Sequence, residues 1–275
     1  MEQTLPQSRK ISAKQTSRRA RWYRWWRAYY DLLLIPLAMV VFLSVWHLVV
    51  IIGEYPSFIL PAPLEVVASF GKHIGNGTLW KHTQVTLTEI FAGLGVGLTL
   101  ATVLGYALAK NRLLNRLLAP YIVASQSVPI VAVAPLLVIW FGAGQLSKVL
   151  ICALIVFFPV LVNTVVGLRS VDEGLYDLMR SLRATRWQMF CHLEVPAALP
   201  VLLGGLKISA TLSVIGAVVG EFVAASEGLG FLINQARGLF NTPLVFVTIF
   251  TLVLIALTLY GFVSLLEARL LRWRA

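Results

Sequence analysis

Charge is scarce in this chain: 13% of its 275 residues are Asp, Glu, Lys or Arg, while 58% are hydrophobic. A soluble domain carries about 25% charged residues, so a water-exposed globular surface is excluded. Acids are the scarcer sign, with 12 Asp and Glu against 23 Lys and Arg and a net charge of +11. Only two cysteines occur, Cys152 inside an apolar run and Cys191 in a basic stretch. Neither has a plausible partner, so both read as reduced residues rather than as a disulfide or metal site. The four histidines, His47, His73, His82 and His192, stand apart from carboxylate or cysteine neighbours at ligand spacing. His73 and His82 read as surface residues. No G-x-x-x-x-G-K-[S/T] loop is present, so nothing in this chain should bind and hydrolyse ATP. No catalytic residue, metal ligand or cofactor site can be nominated, which argues against a membrane enzyme.

What the chain does have is long apolar runs. The first, "LLLIPLAMVVFLSVWHLVVII" (32–52), is longer than the roughly 7–15 residues of a signal-peptide core. It is long enough to cross the roughly 30 Å hydrocarbon core of a bilayer, and no Ala-x-Ala follows it. It reads as an uncleaved transmembrane helix. Five more runs, at 83–109, 117–141, 149–168, 199–225 and 243–266, complete a six-helix all-α integral membrane protein. Six spans leave both termini on one side. With that side cytoplasmic, 19 Lys and Arg lie inside against four outside (Lys72, Lys81, Lys148 and Arg237), the bias the positive-inside rule expects.

The tail 1–27 precedes the membrane domain, 28–275. Between Arg18 and Tyr30 it holds five arginines and six aromatic rings in the stretch "RRARWYRWWRAYY". A nucleic-acid arm could look like this. Directly before a membrane span it reads instead as an interfacial collar, rings at headgroup depth and cations facing anionic lipid. Residues 53–82 carry apolar positions at Leu64, Val67 and Phe70, which predict a short surface helix ended by Gly71 and the Gly75–Asn76–Gly77 turn.

Inside the second span Gly93, Gly97, Ala101, Gly105 and Ala109 form an i, i+4 ladder of small residues. Such a stripe lets another backbone approach closely, either within the chain or at a subunit interface. In the third span Pro129 and Pro135 should kink or break the helix, with Ser125, Gln126 and Ser127 just before the first break. Interrupted helices survive at membrane depth where protein or a water-filled cavity meets the freed backbone. This span is therefore either a lining of a solute path or a kinked packing helix. Glu89, Lys207 and Glu221 are ionisable groups near predicted span ends. Such groups default to functional candidates, although all three could also reach the interface.

The segment "GLRSVDEGLYDLMRSLRATRWQMFCHLEVPAALPVLLGGLKIS" (167–209) holds about 30 residues of mixed charge between the fourth and fifth spans. Leu175, Leu178 and Leu182 share one helical face, and Trp187, Phe190 and Leu193 continue it beyond a bend. An amphipathic helix held away from the membrane can be a docking element or a simple interfacial linker.

Here the chain resembles the permease subunit of bacterial ATP-binding cassette importers that work with a solute-binding protein. The family signature begins Glu-Ala-Ala, has Gly at its seventh position and closes on Pro thirteen residues beyond that Gly. Aligned on Pro196, the Gly position falls on Arg183, the leading Glu on Asp177, and the two Ala on Leu178 and Met179. The spacing matches while most named residues differ. The resemblance runs from about residue 60 to the end. The stretches "PLLVIWFGAGQLSKV", "GLKISATLSVIGAVVGEFVAASEGLGFLI" and "TPLVFV" are similar to the branch serving nitrate, sulfonates, taurine and related solutes. "GLGFLINQARGLF" is more similar to members handling sulfonates or flat heterocycles, such as thiamine pyrimidine precursors and riboflavin.

The resemblance implies that the loop is a coupling helix seated on a separate ATPase subunit, which binds the ATP and Mg. Its contact would centre on Asp172, Leu175, Asp177, Leu178, Leu182, Arg183 and Arg186. It also implies two permease chains, two ATPase chains and an external solute-binding protein, in a bacterial inner membrane. Ser125, Gln126, Ser127, Pro129 and Glu221 are the candidate path residues. An ion-driven secondary transporter is the reading of another class, but the matching halves with broken helices expected there are not seen.

Overall fold

A computed structural model of the protein describes Leu34 and residues 36–272. The tail 1–27, with the aromatic-basic collar, lies outside the described residues. The chain divides into two units, residues 1–65 and 66–275.

The first unit holds α1 (Pro36–Ile52), apolar apart from Ser44 and His47. An α-helix without a polar face has no side to turn to water. After it, Glu65 accepts from the Ser57 hydroxyl at 2.9 Å and from the Ala62 amide at 3.3 Å. This fastens the loop to the start of α2 (Pro63–Gly75). That helix runs through Gly71 and ends at Gly75, where the predicted Gly75–Asn76–Gly77 turn begins. Val66 is its buried residue, while the apolar positions Leu64, Val67 and Phe70 are exposed. The turn at residues 75–77 stands as expected, with Gly77 at φ 73° and Asn76 accepting from the Thr78 amide at 3.1 Å.

The second unit is a bundle of long helices. α3 (Thr78–Lys110) leads through Asn111 to α4 (Arg112–Gln126) and α5 (Ile130–Phe141). α6 (Gln145–Arg169) descends to a short α7 (Glu173–Ser181) and α8 (Arg186–Met189), from which a π-turn (Phe190–Glu194) feeds α9 (Val195–Ala224). α10 (Leu229–Gly238) and α11 (Thr242–Leu270) close the chain. Among the described residues four helices are long and apolar enough to cross a membrane: α3, α6, the continuous stretch Arg186–Ala224, and α11. A fifth exists only if α4 and α5 count together across their 98° bend. The fifth predicted span thus begins well before residue 199, and Pro196 and Pro200 are absorbed in the first turns of a continuous helix.

α6 is the central member, packed between α3 and α9, with α11 on the far side of α9. The small-residue ladder makes this possible and packs within the chain. A Cβ on Gly97 would lie 2.7 Å from the Ala153 carbonyl oxygen of α6. On the opposite side, a Cβ on Gly216 of α9 would lie 2.7 Å from the Cys152 Cα. One segment of α6 is therefore gripped by hydrogen-only surfaces from both neighbours. Close van der Waals contact of this kind holds helices together where lipid removes the hydrophobic drive. Below it Ala101, Leu108, Val156, Val160 and Leu161 form a buried apolar cluster.

Candidate functional site

The loop predicted to be an amphipathic helix is one. Asp172 caps α7 by accepting from the Gly174 amide at 2.6 Å, Glu173 sits in the first turn and Arg180 in the last. Both charges suit the helix dipole. Asp177 and Arg180 pair at 3.0 Å one turn apart. Leu175, Leu178 and Leu182 are 44%, 55% and 69% exposed, an apolar stripe left uncovered by the described residues.

The bend after α7 falls at Arg183, where φ is +55°. The Ala184 amide donates to the Met179 carbonyl at 2.9 Å and the Arg183 amide to that of Arg180 at 2.9 Å. These two bonds make a Schellman close, whose left-handed position glycine normally fills. The position aligned with the family glycine thus keeps the glycine conformation with an arginine in it. Thr185 and Gln188 then form a reciprocal capping box that starts α8, adjoining Arg186. Trp187 stacks on Phe190 with ring centroids 5.5 Å apart, and Leu193 turns inward.

A polar knot, missed by sequence reasoning, ties α7 to the bundle. Glu194, 3% exposed, accepts from Lys110 and, at 3.1 Å, from the Tyr106 hydroxyl. Lys110 also reaches the Tyr176 hydroxyl of α7 at 3.4 Å and lies over that ring at 4.9 Å. The ends of α3, α7 and the π-turn meet at this ammonium. The available signal was a lone acid, Glu194, among basic and aromatic residues just before an apolar helix.

At the other end of α3 a second cluster is sealed. Glu221, 1% exposed, accepts from the Thr86 hydroxyl at 2.6 Å and from the Gly230 amide. Thr86 accepts from the Leu229 amide at 2.8 Å, and His82 Nδ1 from the Gly228 amide at 3.0 Å. Three successive amides of the Gly-Leu-Gly turn are thereby satisfied by side chains of α3 and α9. Glu89, fully buried, pairs with Lys148 of α6 at 3.2 Å. Two expectations are corrected here. His82 is 8% exposed rather than a surface residue, because its ring holds this turn. Lys148, counted as an outer loop charge, is 6% exposed because Glu89 draws it into the bundle. Lys207 is half-buried and pairs with Glu267 of α11. In the first turn of α3, Lys81 pairs with Glu227 of the loop between α9 and α10 at 2.7 Å, and this bond with the lysine charge holds the Glu227 carboxyl below its usual range.

Ser125, Gln126 and Ser127 lie together at the end of α4, all exposed, and Pro129 caps α5. The break occurs at Pro129, while Pro135 is carried inside α5. Ser125 returns its hydroxyl to the Tyr121 carbonyl at 2.8 Å. Glu221, enclosed by its own bundle, does not share that open face.

Residues 93–272 match the family described as binding-protein-dependent transport system inner membrane component. Over 275 residues and all of both chains, the protein is 46% identical to the riboflavin transport system permease protein RibX of Chloroflexus aurantiacus. It is 37% identical to the formylaminopyrimidine transport permease protein ThiX of Halalkalibacterium halodurans, over 79% of this chain and 86% of that one. It is 32% identical to the putative aliphatic sulfonates transport permease protein SsuC of Bacillus subtilis, over 98% and 95%. Its fold is similar to a crystal structure of an amino acid ABC transporter with histidines, at TM-score 0.59 and 17% identity over 72% of this chain and 97% of that one. With the matched region spanning α3 to the end of α11, the chain belongs to the inner membrane components of binding-protein-dependent ABC transport systems.

Proposed function

We propose that this chain forms the solute path of an ATP-driven importer in a bacterial inner membrane and is moved through α7 by a separate ATPase subunit. The observation that carries the proposal is the uncovered stripe Leu175, Leu178 and Leu182 on a helix held out from the bundle. An apolar helix face of this kind fits a groove on a partner. Asp172, Arg183 and Arg186 flank the stripe and would set its register there. ATP and Mg belong to the ATPase. Two permease chains, two ATPase chains and an extracytoplasmic solute-binding protein complete the assembly. Nucleic acid has no part in it.

The polar break at Ser125–Ser127 and Pro129 is our candidate for the path lining, since an interrupted helix is tolerated where it meets a water-filled cavity. For the solute, similarity to permeases of riboflavin and a formylaminopyrimidine supports a flat heterocycle. Similarity to SsuC over nearly the whole chain favours a sulfonate as the second reading.

Replacing Leu175, Leu178 and Leu182 together by Asp tests the docking. The ATPase should be lost on copurification while the permease keeps its helical circular dichroism. An intact complex would remove α7 as the docking element. Uptake into vesicles that follows an ion gradient without any ATPase would point to a secondary transporter instead. Binding of riboflavin, formylaminopyrimidine and taurine to the cognate solute-binding protein, read by thermal shift, separates the solute readings.

A further inference from the structure

α7 has a second face. Glu173, Tyr176, Asp177 and Arg180 lie on the side opposite the leucine stripe and line a cavity of about 900 Å³. The other wall is the junction of α3 and α4, with Lys110, Arg112, Asn115 and Arg116, and Arg169 closes it from the end of α6. Five cations face two carboxylates across this space. One carboxylate, Asp177, is already paired with Arg180, and Lys110 is held by Glu194. Arg169 donates one nitrogen to the Leu108 carbonyl at 3.1 Å. Arg112 and Arg116, one turn apart on α4, have no acidic partner within 4.0 Å among the described residues and are exposed.

Beside them runs an apolar lane. Leu113, Leu117 and Tyr121 recur every fourth residue along α4 and are 67%, 59% and 73% exposed. No residue of α4 is buried. A soluble anion would need the cations alone. A ligand with a phosphate at one end and hydrocarbon at the other would use both features.

We infer that this cleft is a binding site for an anionic glycerophospholipid, its phosphate held by Arg112, Arg116 and Asn115 and its acyl chains laid along Leu113, Leu117 and Tyr121. Arginine suits the role because its planar fork presents several donors to phosphate oxygens. The cleft lies at the charged turn between α4 and α3, a helix long and apolar enough to cross a membrane, where a lipid headgroup would meet it. A docked ATPase is not a competing occupant, since the leucine stripe proposed for it is on the other side of α7. The bound headgroup would brace the polar side of that helix against the bundle.

The inference rests on the membrane reading of the chain and not on the ATPase partner. Its test therefore uses the full-length permease alone, purified in detergent, mixed with equal phosphatidylglycerol and phosphatidylcholine, and weighed by native mass spectrometry. Phosphatidylglycerol should be retained preferentially. R112Q/R116Q should lower its retention about thirtyfold, at roughly 1 kcal/mol per cation near the surface. K72Q/R237Q, which removes two cations away from the cleft, should leave retention unchanged. The single variants R112Q and R116Q should each lose about fivefold and stand in if the double variant does not fold. Equal retention by R112Q/R116Q and the parent, or equal loss in K72Q/R237Q, would overturn the site. Displacement of the lipid by millimolar inorganic phosphate would overturn the lipid as its ligand.

Discussion

The two ends of α3 carry the same kinds of residue and use them in opposite ways. Near its start, Glu89 and Lys148 have side chains 0% and 8% exposed. Near its end, Glu194 is shut in at 4% but its partner Lys110 remains 40% exposed. A buried pair that loses one member leaves an uncompensated charge with no access to water. A half-open pair can rehydrate. The sealed end therefore acts as a fixed brace between α3, α6, α9 and the Gly-Leu-Gly turn. The open end is suited to rearrangement, and it is the end that touches α7.

Breaking the sealed pair should have the largest effect. Lys148→Met leaves Glu89 buried and alone, and should destabilise the permease by about 3–5 kcal/mol, read as a fall in melting temperature in detergent. Gly216→Leu, at the same end, forces a side chain into the backbone of α6 at Cys152. It should lower stability by about 3 kcal/mol in the same assay, with no change in charge.

Glu194→Gln sharpens the contrast from the other end, because it removes the buried member and leaves Lys110, 40% exposed, free to rehydrate. Its stability loss should be about 1 kcal/mol or less, the range of a solvent-accessible pair. In the reconstituted transporter its ATP hydrolysis per solute imported should rise, because α7 would no longer be tied to Glu194. A loss as large as that of Lys148→Met would erase the difference between the two ends.

Arg183→Gly should stabilise the bend after α7 by about 1 kcal/mol, since glycine adopts the left-handed conformation without a Cβ clash. Slower proteolysis of the loop would register it. The smallest effect concerns Lys81 and Glu227. The Glu227 carboxyl is held below its ordinary value of 4.5, so its contribution is present above that pH. It is lost as pH falls through the lower folded value. The melting-temperature gap between the parent and Lys81→Met should be small near neutral pH and vanish in acid.

Much of this architecture was legible in the chain because it is local. Apolar runs of membrane length, the glycine ladder of α3, the break at Pro129 and the leucine face of α7 each follow from composition, period or the missing proline amide. Less regular features were misjudged where tertiary contact outweighed them. His82 was drawn inward by the Gly228 amide, and Lys148 by Glu89 of α3.

By itself, then, the sequence determined an all-helical membrane body, where its third span gives way, and which face of the loop helix is greasy. Only the tertiary structure decided which polar groups meet. Thr86 and Glu221 are 135 residues apart, and Lys110 and Glu194 are 84 apart. Periodicity orients a residue around its own helix, but carries no information about which helix is its neighbour or at what height. Those are set by the close packing of α3 and α9 on α6, and the buried charges find their partners only after that packing has formed.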